Sequence, residues 1–191
     1  MSKEMTEIRW HARGGQGAKT AAQLVAQVAL EEGRFSQGFP EYGPERMGAP
    51  VRGYTRISTK PVRVHCPIEH PDVVVVLDET LLGSPMIAEG ATAATTFIIN
   101  TAGDLAKTRK KLGITGGKVM SVDATKISID ELGRAIPNTP MIGALIRATG
   151  CISMDAMKKD FEAKFLKKFG ERVVQGNVRA IQRAYEEVKS E

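Results

Sequence analysis

The chain has 191 residues, of which 42% are hydrophobic and 26% charged. That balance suits one globular domain with an ordinary core and excludes a disordered chain. No apolar run approaches the roughly 20 residues that cross a bilayer, and the first residues lack the apolar core of a signal peptide, so a cytoplasmic protein is the simplest reading. The net charge of +5 raises nucleic acid as a partner. However, the excess sits largely in the C-terminal third, in Lys158, Lys159, Lys164, Lys167, Lys168, Arg172, Arg179 and Arg183, interleaved with acids as on solvated helix faces. Aromatic residues make up only 5%, too few for a base-stacking platform. No nucleic-acid and no membrane partner is expected.

In chain order, residues 7–11 alternate polar and apolar side chains, as a strand does. Glycines 14, 15 and 17 follow, then Ala21, Ala22, Leu24, Val25, Val28 and Ala29 at helical spacing until Gly33. Residues 35–39 form a second strand. Residues 40–50 hold three prolines and two glycines, which forbid regular structure. Residues 51–57 and 62–66 read as a strand pair, plausibly antiparallel, joined by 58–61. Residues 72–78 form the central buried strand, and its polar end, Asp78-Glu79-Thr80, lies at the carboxyl edge, where open α/β sheets keep their sites. Strands are expected at 95–100 and 118–122, around a short basic helix at 104–112.

The remainder reads as helical, with helices at 129–136, 141–149, 154–169 and 171–189. Gly143 suggests that the second of these packs closely on the sheet. The sum is one domain over 1–191: a three-layer α/β/α sandwich with a mixed, mainly parallel sheet and a helical C-terminal region.

Arg13-Gly14-Gly15-Gln16-Gly17-Ala18-Lys19-Thr20 is the first candidate site. Glycines let backbone approach a phosphate, and a following helix N-terminus supplies free N–H groups. Two nucleotide templates fail here. A P-loop needs glycine before Lys-Ser/Thr, where Ala18 stands, and the third glycine of G-x-G-x-x-G falls on Thr20. A bare tight turn, an anion site and a partner contact all remain open.

In the 40–50 loop, Glu45 and Arg46 can pair locally. Alternatively Arg46 or Arg52 reaches a neighbouring carboxylate or phosphate, with Tyr42 and Met47 suited to docking. Asn138 or Thr139 either caps the next helix or faces a ligand. Asp78, Glu79 and Asp123 at strand ends either cap helices or serve acid/base chemistry. Cys66 and Cys151 form no C-x-x-C, and His11, His65 and His70 show no ligand spacing, so no metal is assigned to this chain.

Together the motifs resemble one family. Arg9-Trp10-His11-Ala12-Arg13-Gly14-Gly15-Gln16-Gly17 resembles the R-x-H-G-R-G-G-Q-G start of gamma subunits of pyruvate and other 2-oxoacid:ferredoxin oxidoreductases, with Ala12 in place of the usual glycine. Residues 39–50, F-P-E-Y-G-P-E-R-M-G-A-P, resemble their F-P-x-Y/F-G-x-E-R-x-G-A-P segment. The blocks at 71–76 and 137–144 follow in the right order.

The resemblance implies a complex that converts a 2-oxoacid, coenzyme A and oxidised ferredoxin to acyl-CoA, carbon dioxide and reduced ferredoxin, reversibly. It implies alpha, beta and delta partner subunits that hold thiamine diphosphate, Mg2+ and [4Fe–4S] clusters, with ferredoxin as electron acceptor. The isolated chain would be inactive. Pyruvate is the expected 2-oxoacid, with phenylglyoxylate, 2-oxoisovalerate, indolepyruvate and 2-oxoglutarate as alternatives. A gamma domain of this kind would sit beside the thiamine site. Arg13, Gly14, Gly15, Gln16, Gly17, Asn138 and Thr139 would then help bind coenzyme A, and Tyr42, Glu45, Arg46, Met47 and Arg52 would dock on partners. The competing reading is an independent nucleotide-binding regulatory module.

Overall fold

The computed structural model describes residues 3–41 and 47–191. Its elements are β1 (Met5–Arg13), α1 (Ala18–Glu31), β2 (Phe35–Pro40), β3 (Pro50–Ser58), β4 (Val73–Val76), a 3-10 turn at Glu79–Leu81, α2 (Pro85–Ala88), β5 (Thr96–Asn100), α3 (Leu105–Leu112), β6 (Lys118–Val122), α4 (Ala124–Leu132), α5 (Asn138–Thr149), α6 (Met154–Phe169), α7 (Glu171–Glu187) and β7 (Lys189–Ser190).

One sheet of order β2-β3-β1-β4-β5-β6-β7 organises the chain. The inner pairs β1–β4, β4–β5 and β5–β6 are parallel. β3 runs antiparallel to both β1 and β2, and β7 antiparallel to β6, so five of the seven strands share one direction. β4 is central and consists of four valines, all buried, because a strand covered on both faces selects β-branched apolar side chains.

Two cores cover the two faces, which gives the three layers expected. On one, Ile8, Trp10, Val73, Val75, Ile98 and Val122 meet residues of α1 and α4–α7. On the other, Val74, Val76, Phe97, Ile99 and Val119 meet Leu81, Leu82, Ile87 and Leu112. Helix starts follow local chemistry. Asp104, Asp123 and Ser153 accept from the backbone N–H of Lys107, Lys126 and Ala156, and such caps are each worth about 1 kcal/mol.

Four sequence expectations are corrected. Residues 62–66 form no strand: β3 already has β1 and β2 on its two edges, so a second hairpin partner has no ladder to join. The carbonyls of this segment are met by side chains instead, Val62 O by Gln37 Nε2 and Val64 O by Arg56 Nη1. The helix expected at 129–136 begins earlier, because Asp123 caps it, and ends at Gly133 in a left-handed conformation. The last helix stops at Glu187, and Lys189–Ser190 returns to the sheet edge. Finally, Gly143 approaches α7 rather than the sheet, since a Cβ there would overlap the Ile181 carbonyl.

Candidate functional site

β1 hands the chain through α1 to β2 on one side of the sheet, while β4 leads to β5 on the other. The strand order therefore reverses between β1 and β4, and the crevice at their carboxyl ends is where open α/β sheets bind ligands. The glycine turn, residues 14–17, leaves β1 at that point.

One carboxylate spans the crevice. Asp78, just past β4, accepts from Gln16 Nε2 at 2.7 Å and pairs with Arg13 Nε at 3.5 Å through Oδ2. Its Oδ1 accepts from Thr80 N–H at 2.9 Å and Thr80 Oγ1 at 2.6 Å. Burial raises the carboxyl pKa, but donation from Thr80 and Gln16, with Arg13 nearby, outweighs it and holds Asp78 below the usual carboxylate range. Asp78 is thus a helix cap and also the hub of the turn. Sequence reasoning offered a cap or acid/base chemistry and not the hub; the hint it missed was Gln16 lying in the turn opposite a strand-end acid.

Arg13 is tied into the same network. Its Nε and Nη2 donate to Thr80 Oγ1 at 3.0 and 2.8 Å, and Nη1 donates to Gly48 O at 3.1 Å. Gln16 Oε1 accepts from the Arg13 N–H at 2.7 Å. The turn is latched to the residues before β3 by Gly14 N–H to Ala49 O at 2.8 Å and Gly48 N–H to Gly14 O at 3.1 Å.

Gly15 and Gly17 have φ of +98° and +85°, the left-handed region that glycine enters without a Cβ penalty. Gly17 precedes α1, and among the described residues no side chain caps that helix. α5 likewise begins after Pro137 with no side-chain cap among the described residues. The two starts meet: a Cβ on Gly17 would lie 2.6 Å from Asn138 Nδ2. Thr139 is buried beside Asn138. Two helix N-termini with free N–H groups and positive dipole ends thus converge beside the turn.

The expected docking residues are distributed differently. Met47 is 93% exposed. Arg52 points to the other face of the sheet, where it donates to Glu41 through Nε at 2.5 Å and Nη2 at 3.0 Å, and to Glu89 at 3.3 Å. Tyr42, Glu45 and Arg46 lie outside the described residues. Around Arg52 is a polar layer that sequence reading did not find. Arg9 donates to His11 Nε2 at 3.0 Å and to the Ile87 and Glu89 carbonyls, and Tyr54 donates to Glu41 at 2.7 Å. Arg9, Glu41, Arg52, Tyr54 and Glu89 line a pocket of about 400 Å³. His11 is 2% exposed, and burial with the Arg9 and Arg52 cations lowers its pKa to about 3. It is a neutral acceptor there.

Among the described residues no group of three or more His, Cys, Asp or Glu side chains could hold a metal ion, and no helix is long and apolar enough to cross a membrane. Cys66 is exposed and Cys151 buried.

Known proteins decide the family. The profile described as pyruvate ferredoxin/flavodoxin oxidoreductase matches residues 7–187. The chain belongs to that family, as a gamma-type subunit. It is 51% identical to pyruvate synthase subunit PorC of Thermotoga maritima over 189 residues, covering 99% of this chain and 97% of the relative. It is 40% identical to the common gamma subunit of the pyruvate/ketoisovalerate oxidoreductases of Pyrococcus furiosus, covering 97% and 98%. The crystal structure of pyruvate oxidoreductase subunit PORC from Thermotoga maritima superposes with a TM-score of 0.88 at 49% identity, covering 98% of this chain and 99% of that one. The α/β fold and the oxidoreductase-subunit identity read from the sequence are both borne out.

Proposed function

We propose that this chain is the gamma subunit of a pyruvate:ferredoxin oxidoreductase. The complex joins pyruvate and coenzyme A to give acetyl-CoA and carbon dioxide, passes the electron pair to ferredoxin, and runs in either direction. The pyruvate synthase name of the Thermotoga maritima relative supports the substrate. The Pyrococcus furiosus chain carries a name that joins two oxoacids, which supports recognition of the 2-oxoacid by other subunits.

In this reading the chain sits beside the thiamine site and helps bind coenzyme A. One observation carries it: the uncapped starts of α1 and α5 meet at Gly17 and Asn138, on the crevice where the strand order reverses. Such an arrangement favours a phosphate group. Gly14 to Gly17, Asn138 and Thr139 would offer backbone N–H groups to the coenzyme A phosphates, with Arg13 adding charge. Met47 and Arg52, together with Tyr42, Glu45 and Arg46, belong to the surface that meets the alpha, beta and delta subunits. The side chains described here do not suit Mg2+, a thiamine diphosphate clamp or a [4Fe–4S] cluster, so those groups are assigned to the partners. They supply the decarboxylation and electron-transfer chemistry, and the isolated chain is inactive.

Steady-state kinetics of the complex carrying Arg13→Ala test the assignment. A raised coenzyme A KM with a nearly unchanged pyruvate KM is expected; an unaltered coenzyme A dependence would remove the phosphate role.

A further inference from the structure

The C-terminal cations divide into two sets. Arg179 and Arg183 on α7 pair with Asp130 and Glu131 of α4, and Lys164 pairs with Asp160 one turn earlier on α6. Lys158, Lys159, Lys167, Lys168 and Arg172 have no carboxylate within 4 Å among the described residues. Residues 158–172 hold six cations against three carboxylates, a net +3 within a chain of +5.

Three of these unpaired cations, Lys167, Lys168 and Arg172, lie where the chain projects past the core. The last buried residue of α6 is Phe161, and the first of α7 is Val174. Between them the two helices and Gly170 form a hairpin tip. Phe165 is the last α6 side chain that packs against the core, and the four residues beyond it extend the helix about 6 Å at 1.5 Å per residue. Apolar side chains nevertheless continue to its end: Phe165 stacks between Phe161 and Phe169 with centroids 4.6 and 5.7 Å apart. Leu166 is 46% and Phe169 49% exposed. Lys167 and Lys168 complement the α6 dipole, but the dipole gives no reason for a large aromatic and a leucine in water beside them.

We propose that this tip docks into an acidic, apolar-floored surface of a partner subunit in the assembled complex. Phe169 and Leu166 fill the floor, and Lys167, Lys168 and Arg172 meet carboxylates at its rim. An apolar centre that includes an aromatic side chain, within a polar and charged rim, matches the anatomy of a protein interface. The apolar anchor favours a permanent subunit over an electron carrier, whose transient contacts are small. The inference rests on the reading of the chain as a subunit.

The test purifies the complex through a tag on this chain, for the wild type and for three variants: Lys167→Glu/Lys168→Glu/Arg172→Glu, Leu166→Ser/Phe169→Ser, and the conservative Lys167→Arg/Lys168→Arg. Circular dichroism of each full chain verifies folding, and Lys167→Gln/Lys168→Gln replaces the charge reversal if that variant does not fold. The first two variants should lose a partner subunit or release it at salt concentrations the wild type withstands, with affinity at least tenfold lower, while the arginine variant behaves as the wild type. Equal subunit recovery and salt resistance in all variants would overturn the proposal. An intact complex with a raised, salt-dependent ferredoxin KM would also overturn it, by assigning the tip to the carrier. If the wild type recovers no partner at all, the subunit reading itself fails.

Discussion

Asn138, on the first turn of α5, fills the space that a side chain on Gly17 would need: a Cβ there would lie 2.6 Å from its Nδ2 and 2.8 Å from its Cγ. The contact fixes the α5 start against the α1 start. Gly17→Ala meets both this overlap and a φ of +85°. Gly15→Ala meets only its φ of +98°, with no atom of the described residues within 4 Å of its Cβ. Gly15→Ala should therefore cost about 1 kcal/mol and Gly17→Ala roughly 2–4 kcal/mol. Asn138→Ala should restore part of the second loss. Denaturant titration of the double-mutant cycle measures it, and a coupling near zero would show that the contact is not felt.

Asp78→Asn keeps the size of the hub but removes its charge. The amide cannot accept from Gln16 and Thr80 while also pairing with Arg13, so a loss of about 1–3 kcal/mol is expected. The pH dependence has a definite sign. Because the folded pKa is lowered, this contribution is present above the unfolded carboxylate pKa and fades as the pH falls through the folded value. Urea titrations from neutral pH down through the acid range should show that loss in the wild type and not in Asp78→Asn.

His11 gives a separate signal at higher pH. Its folded pKa is lowered from 6.5 to about 3, so between those values the unfolded chain binds the extra proton. Stability should fall with acidification from about pH 6.5, by up to about 1.4 kcal/mol per pH unit. This begins above the range in which Asp78 titrates. His11→Gln, which retains an acceptor for Arg9, should flatten the slope between pH 5 and 6.5, and an unchanged slope there would assign it to other groups.

Gly143 allows α5 and α7 to touch backbone to backbone, since a Cβ would overlap the Ile181 carbonyl. Gly143→Ala should lower stability by about 1–3 kcal/mol or more, whereas Gly133→Ala, with open space around it, should cost only its left-handed backbone. Thermal unfolding of the two variants separates packing from conformation.

The order of strands and helices was legible because it is written in short-range signals: the valines of β4, the spacing along α1 and the Gly33 that follows it. One failure was local, the Asp123 cap and Gly133 stop that bound α4; others were long-range. Residues 62–66 have strand composition, but β3 had no free edge left for them. Gly143 announced a close approach, read as one to the sheet, whereas its partner is α7. The turn at 13–17 was visible as a glycine cluster, whereas its partners Asp78 and Asn138 lie 62 residues from Gln16 and in a helix much later in the chain. Arg9 and His11 are the polar positions of the alternating strand at 7–11. They are buried, because the segment at 67–70 and the end of α2 close over that face, with Arg9 bonded to the Ile68, Ile87 and Glu89 carbonyls.

The proposed role as the gamma subunit of a pyruvate:ferredoxin oxidoreductase is checked by anaerobic purification through a tag on the chain, followed by a ferredoxin-reduction assay. Recovery with subunits that carry thiamine diphosphate and iron–sulfur clusters is expected, with ferredoxin reduction only when pyruvate and coenzyme A are both present. Recovery of the chain alone, or of an assembly that reduces no ferredoxin with pyruvate and coenzyme A, would contradict it.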